Sequence, residues 1–200
     1  REREDIPGVC GPELHEDPAE YLEYLYTLNL FETVSFSNED TERTRLYQVE
    51  AQRAMVQQKF TNEDEFLESL HMESLVEPFN KFNTPRVAQL SQRSNQFNLR
   101  TVRYTEADIS ELANSEHNYT FAFTLKDKFG DNGLICVVIL DKESDEVVFI
   151  NTWLMSCRVL KRGMEHFVLN TIVQFAGEKG CKFIKGEYIA TAKNDMVKDH

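Results

Sequence analysis

Residues Glu146–Gly180 read EVVFINTWLMSCRVLKRGMEHFVLNTIVQFAGEKG. The opening residues are apolar and rich in β-branched side chains, which suits a buried strand over Val147–Cys157. Val168, Leu169, Ile172, Val173, Phe175 and Ala176 then follow at the spacing of one helix face, and Gly177, Lys179 and Gly180 close the helix. Between strand and helix lies a short basic loop, Arg158-Val159-Leu160-Lys161-Arg162-Gly163. Strand, loop and helix N-terminus in that order can hold a phosphate on backbone N–H groups. The same order also makes an ordinary solvated turn, and the reading of the protein depends on which of the two this is.

Outward from this stretch the pattern is sheet. Cys181–Ile189 reads as one more strand, and Thr191 caps a last helix beginning near Lys193. Upstream, Tyr119–Leu125 alternates, Lys126–Gly133 is a hairpin-type turn, and Leu134–Leu140 is apolar enough for a central strand. Thr84-Pro85 starts a helix with Val87, Ala88, Leu90 and Ser91 on one face. Leu99–Tyr104 reads as a strand and Thr105 caps a short helix through Ile109 and Leu112; Met72–Phe79 can form a short strand. Hairpin-linked strands feeding a strand–helix–strand unit predict a mixed sheet flanked by helices, α/β or α+β.

The first seventy residues differ. Pro7, Gly8, Gly11, Pro12 and Pro18 break up residues 1–18, which read as a linker. Residues 19–70 read as an acidic helical arm of three helices: Asp17-Pro18 starts one, Ser37 caps the second, and Thr61 or Asn62 caps the third. The second carries a stripe of Leu46, Val49, Arg53, Val56 and Phe60, in which Arg53 reads as a snorkelling edge residue. Residues 71–200 form the main domain.

Charge follows the same division. Of the net −12, residues 1–70 carry −11, while Arg158–Lys198 holds eight Lys/Arg against four Asp/Glu. Nucleic acid is not an expected partner of so acidic a chain, whereas a phosphate-bearing ligand suits its basic C-terminal segment. No apolar run approaches the ~20 residues that cross a membrane, so no membrane partner is expected. Four unpatterned cysteines at 10, 136, 157 and 181 suggest reduced thiols and a cytoplasmic setting. The His, Cys and acidic spacings give no metal site, no serine-hydrolase elbow and no Walker loop.

The order of elements resembles the GNAT acyltransferase fold, in which coenzyme A pyrophosphate sits on the turn after the fourth strand in a Q/R-x-x-G-x-G/A pattern. Arg158 to Gly163 matches that pattern with Lys161 at the first glycine. Gln89-Leu90-Ser91-Gln92-Arg93-Ser94-Asn95-Gln96-Phe97-Asn98-Leu99, Arg103-Tyr104, Asn151-Thr152-Trp153-Leu154-Met155-Ser156-Cys157-Arg158-Val159-Leu160 and Ala192-Lys193-Asn194 are similar to the C-terminal part of FkbH-like proteins. In that family a HAD-type phosphatase domain precedes a GNAT-like one, and a glyceryl unit is loaded onto an acyl carrier protein for methoxymalonyl-type extender units in polyketide biosynthesis. The resemblance implies that residues 1–18 are the tail of a HAD-like domain, and that a GNAT-like sheet is truncated near Asp199-His200. It also implies coenzyme A or phosphopantetheine as cofactor, and a carrier protein or coenzyme A ester as partner. The paired aspartates of the phosphatase are absent.

On this reading Arg158, Lys161, Arg162, Gly163 and Met164 hold the pyrophosphate or phosphopantetheine phosphate, and Asn194 hydrogen-bonds the thiol or pantetheine. Glu165 repels a phosphate if it turns inward, yet it also suits a helix N-terminus. Cys157, beside that helix and the basic side chains, is either a nucleophile or a small buried residue. Glu187 as base and Tyr188 as acid sit where the acyl chain enters between splayed strands, and His166 is a further base; each also fits an ordinary structural role. Asn95, Gln96 and Asn98 form an amide cluster suited to a neutral polyol or to ending a helix, with Trp153 as a pocket wall or core residue. A non-catalytic docking or scaffold module is the competing reading.

Overall fold

The computed structural model describes residues 38–198. The chain divides into two units, Arg1–Arg45 and Leu46–His200, and the second contains the sheet. The helix expected after Asp17-Pro18 and the residue 1–18 segment lie outside the described residues.

A six-stranded sheet organises the unit. Its strands are β1 (Val76–Glu77), β2 (Phe97–Asn98), β3 (Asn118–Asp127), β4 (Gly130–Lys142), β5 (Val147–Met155) and β6 (Phe183–Gly186). The order is β1-β3-β4-β5-β2, with β6 also on β5. All pairs are antiparallel except β5 with β6. The helices are α1 (Asn38–Gln57), α2 (Glu63–Ser69), α3 (Thr84–Arg93), α4 (Glu106–Asn114) and α5 (Met164–Glu178). The mixed sheet flanked by helices is thus the architecture that the pattern of elements predicts.

The central strand β4 explains how both faces are covered. Its run from Ile135 to Leu140 is completely buried or nearly so, and a strand buried on both faces reads as continuous apolar sequence. One face packs with α5 through Val138, Leu140, Ile150, Trp153, Met164, Val168 and Ile172. The other packs with α3 and α4 through Val87, Leu90, Ile109, Val137, Ile139 and Leu154. α4 starts on a capping box in which Thr105 and Asp108 satisfy each other's backbone. The backbone and side-chain bonds from Thr105 hold the Asp108 carboxyl below the usual carboxylate range.

Several expectations are corrected. The β3–β4 turn is only Lys128-Phe129, because Asp127 Oδ1 accepts the Phe129 N–H at 2.9 Å. Asp131-Asn132-Gly133 belongs to β4, where register shifts and the left-handed Gly133 (φ 66) absorb the extra residues. Leu99–Tyr104 is not a strand: Thr101 turns left-handed (φ 57), and pairing is confined to Phe97–Asn98. β6 is shorter than Cys181–Ile189, and the last helix is a single 3₁₀ turn, Asp195–Val197. On α5, Leu169 and Val173 are exposed and Glu165 is buried in their stead.

Arg53 is the largest departure. It is 3% exposed and joins a buried cluster, donating to Asp127 Oδ2 from Nε (3.0 Å) and Nη2 (2.6 Å) and pairing with Glu50. A charge in an apolar stripe reads as a snorkelling edge residue when no partner is visible in sequence; here the partner is 74 residues away on the β3–β4 hairpin.

Candidate functional site

β5 leaves the sheet at Met155, and the Ser156 N–H is tied to Ile135 O (2.7 Å). One 3₁₀ turn, Cys157–Val159, follows, and α5 begins at Met164. Lys161 (φ 62) and Gly163 (φ 76) are both left-handed. A Cβ on Gly163 would meet nothing within 4 Å, so this glycine serves the backbone conformation rather than a close approach.

The loop turns its basic residues in different directions. Cys157 and Lys161 are exposed and Arg158 is half-buried, its Nε donating to Ser156 Oγ (3.3 Å). Arg162 is not a free phosphate ligand. It is buried and donates from Nη2 to Glu50 Oε2 (2.7 Å) and Arg158 O (2.6 Å), with Asp127 Oδ2 at 3.5 Å from Nη1. Burial, and then the neighbouring Arg53 guanidinium, pull its pKa down, which the two carboxylates oppose. Met164 lies in the core, and His166 is on the exposed side of α5.

Glu165 decides the electrostatics of the loop. It is 6% exposed, and Oε1 accepts the Lys161 N–H at 2.8 Å. The first N–H groups of a helix attract an anion; the donor that Glu165 holds is instead a loop N–H, two residues before the Gly163 that precedes α5. The loop therefore offers a phosphate the side chains of Arg158 and Lys161, while Glu165 already holds the Lys161 backbone donor.

The second half of the expected site lies where β5 and β6 part. Their pairing ends at Ile150–Gly186. Beyond it β5 pairs with β2 instead, Asn98 opposite Leu154 and Phe97 opposite Met155. Leu99 N–H donates to Trp153 O (3.1 Å), and Leu99 O accepts the Ile189 N–H (2.9 Å). The segment around Leu99 thus fills the opening between the splayed strands.

Asn194 locks that segment in place. It is completely buried; Nδ2 donates to Asn98 O (2.9 Å) and Ile189 O (3.0 Å), while Oδ1 accepts from the Thr191 N–H (2.7 Å) and hydroxyl (2.9 Å). Its amide is fully used, which corrects the expectation that it meets a thiol or pantetheine group. The amide cluster is likewise structural rather than a polyol site: Asn98 bonds Ser94 O and the Thr101 N–H, and Asn95 bonds Arg103 and Arg93 O. Gln96 is exposed, and Trp153 is a core residue against Phe97. Glu187 pairs with Arg100 Nε (3.0 Å), and the Tyr188 hydroxyl lies 3.4 Å from Asn194 Oδ1. No hydrogen bond or ion pair joins Cys157 to Glu187 or Tyr188 among the described residues.

One polar cluster escaped sequence reasoning. Between Ile150 and Thr152 the register with β4 shifts, so Asn151 is an extra residue in β5. Its Nδ2 donates to Asp141 Oδ2 (2.6 Å), and its Oδ1 accepts from the Tyr104 hydroxyl (3.1 Å), which also lies 2.7 Å from Thr152 Oγ1. Burial is the main cause that raises the Tyr104 pKa, so this hydroxyl is a held donor and not a base. The available signal was Asn151-Thr152 itself, a polar pair interrupting an apolar strand. Among the described residues no group of His, Cys, Asp and Glu could hold a metal ion, and no helix is long and apolar enough to cross a membrane.

No protein-family model matches the chain, and no curated protein does. Solved structures do resemble it. The ribosomal-protein-S18-alanine N-acetyltransferase from Escherichia coli is 12% identical, with 64% of this chain and 73% of that one covered and a TM-score of 0.48. Ard1 from Thermoplasma volcanium is 15% identical over 63% and 78%, also at 0.48. The aminoglycoside N-acetyltransferase AAC(6')-Iy in complex with CoA is 16% identical over 65% and 84%, at 0.46.

Proposed function

We propose that this chain is a GNAT-like acyltransferase domain that handles an acyl or glyceryl unit on a phosphopantetheine arm. The observation that carries the reading is the β5–turn–α5–β6 unit. It contains the only parallel pair among the described strands, and two left-handed residues, Lys161 and Gly163, lead into a helix N-terminus. An exposed thiol, Cys157, and the side chains of Arg158 and Lys161 stand at that turn. Coenzyme A or an acyl carrier protein supplies the arm. Arg158 and Lys161 hold its phosphate, and Cys157 is the residue that would accept the acyl group, its sulfur forming the new thioester as the carrier's thiol leaves with the proton. The sequence resemblance to FkbH-like proteins supports a cytoplasmic setting beside a HAD-type domain, in methoxymalonyl-type extender-unit biosynthesis.

Coenzyme A and acyl-coenzyme A should raise the unfolding temperature of the chain, as any ligand selective for the folded state does. Intact mass after incubation with an acyl donor should show one acyl group, lost in Cys157→Ser. The absence of a shift with coenzyme A and with carrier protein alike would sink the proposal.

A second reading is favoured by two features: Glu165 already caps the loop, and the Leu99 segment already fills the strand opening. In it the domain docks a carrier protein without performing chemistry. Binding of carrier protein with no acyl group on Cys157 would select it.

A further inference from the structure

The two carboxylates around Arg162 are not equivalent. Arg53 and Arg162 both pair with Glu50 and with Asp127. The Asp127 side chain is completely buried, whereas that of Glu50 is 48% exposed. Asp127 Oδ2 takes Arg53 Nε (3.0 Å) and Nη2 (2.6 Å), with Arg162 Nη1 at 3.5 Å. The Arg158 carbonyl accepts from Arg162 Nη2 (2.6 Å), and the Phe129 ring lies 5.6 Å from the Arg53 guanidinium carbon. These contacts fix both guanidinium groups from the protein side. On the solvent side a single oxygen, Glu50 Oε2, accepts from Arg53 Nη1 and from Arg162 Nη2 (2.7 Å). A phosphate oxygen suits that position as well as a carboxylate oxygen does, because guanidinium donors match both anions. The position adjoins the candidate loop, since Arg162 follows Lys161 and bonds the Arg158 carbonyl.

We propose that Glu50 is a built-in competitor for phosphate at this loop. Its carboxylate occupies the place between Arg53 and Arg162, and a diphosphate takes that place as Glu50 turns out into water. The proposal rests on the reading that Arg158 and Lys161 hold a phosphate, and it adds an autoinhibitory contact to that site. Glu50 leaves at little cost, because an ion pair with a half-exposed partner contributes little and its carboxylate is already partly hydrated. Asp127 stays, because a buried carboxylate stripped of its partners is strongly unfavourable. The exchange therefore uncovers two donors without dismantling the cluster. It also leaves two guanidinium groups facing one carboxylate, so net positive charge appears beside Arg158 and Lys161. A simple carboxylate ligand gains nothing over the group it displaces. A diphosphate has oxygens enough to meet Arg53 and Arg162 and one of the two loop side chains together.

Calorimetric titration of the full chain with inorganic pyrophosphate and with coenzyme A tests this. Glu50→Gln removes the competing charge and keeps the side-chain size, and should bind pyrophosphate about tenfold more tightly than the unmodified chain. Glu111→Gln makes the same charge change on α4, which packs on the other face of the sheet, and should bind as the unmodified chain does. Adding Arg162→Lys to Glu50→Gln should abolish the gain, because an ammonium cannot reproduce the planar fork. Circular dichroism checks that each variant keeps its fold. One measurement needs no variant: in the unmodified chain the guanidinium NMR signals of Arg53 and Arg162 should shift as pyrophosphate is added. Signals unmoved at saturating pyrophosphate overturn the proposal. So does equal affinity of Glu50→Gln and the unmodified chain, or a gain that Glu111→Gln shares or that survives Arg162→Lys. A gain for pyrophosphate with no binding of coenzyme A by either protein upholds the competition and sinks the coenzyme reading. Coenzyme A bound equally by both proteins upholds that reading and overturns the competition.

Discussion

Replacing Glu165 by glutamine tests the proposed function at its least comfortable point. The carboxylate is nearly sealed from solvent and accepts the Lys161 N–H at 2.8 Å. A phosphate oxygen competing for that donor comes within about 4 Å of the carboxylate, where two like charges at an effective dielectric of ~20 repel by ~4 kcal/mol. Glutamine keeps the shape and the acceptor and removes the charge. If a third of the repulsion survives screening, coenzyme A should bind Glu165→Gln about tenfold more tightly. The variant should also lose about 1 kcal/mol of stability, the difference between a charged and a neutral hydrogen bond. Calorimetric titration with coenzyme A and urea unfolding of both proteins measure the two effects. A loss of stability with coenzyme A affinity unchanged or lowered would refute the reasoning, because the loop would then not be where the phosphate lies.

Asp127→Ala should cost about 3–5 kcal/mol in urea unfolding, because it leaves two buried guanidinium groups short of their shared counter-ion; a loss under 1 kcal/mol would mean the cluster relaxes into water. Tyr104→Phe should cost about 1 kcal/mol and leave the secondary structure unchanged, as the hydroxyl's bonds to Asn151 and Thr152 disappear. Burial raises the pKa of both Cys136 and Tyr104 above their unfolded values. The stability they contribute is whole below about pH 9 and is lost as the unfolded thiol and phenol ionise above it. Stability measured from pH 8 to 11 should therefore fall, and Cys136→Ala should flatten the first part of the fall.

Local pattern made the sheet and helices legible. The continuous apolar run of β4, the Thr105 cap and the Thr84-Pro85 helix start are encoded within a few residues of where they act. What lay hidden was every partner distant in sequence. Arg53 in an apolar stripe carries no sign of Asp127, and Arg162 looks like a phosphate ligand until Glu50 claims it. Asn194 looks like a site residue until its amide is found spent on Asn98 and Thr191. The loop's backbone conformation was half legible: Gly163 announces a left-handed residue, whereas Lys161 does not. Glu165 was visible as a conflict between two roles, and only its rotamer resolves it. The candidate chemistry at Cys157 was legible as composition, a thiol beside basic residues, and no contact among the described residues joins it to the acids and bases proposed for it.

The cluster formed by Glu50, Arg53, Asp127 and Arg162 has a practical consequence for anyone dissecting the chain. The sequence invites excision at residue 71, where the acidic helices end and the sheet begins. Such a fragment would lack Arg53 and Glu50. Asp127 would lose its nearer cation, and Arg162 would keep only the longer contact to Asp127 and the Arg158 carbonyl. The turn ahead of α5 would then be free to swing its arginine outward. A truncated protein that binds polyphosphates avidly would be reporting that released arginine, not an affinity native to the intact chain.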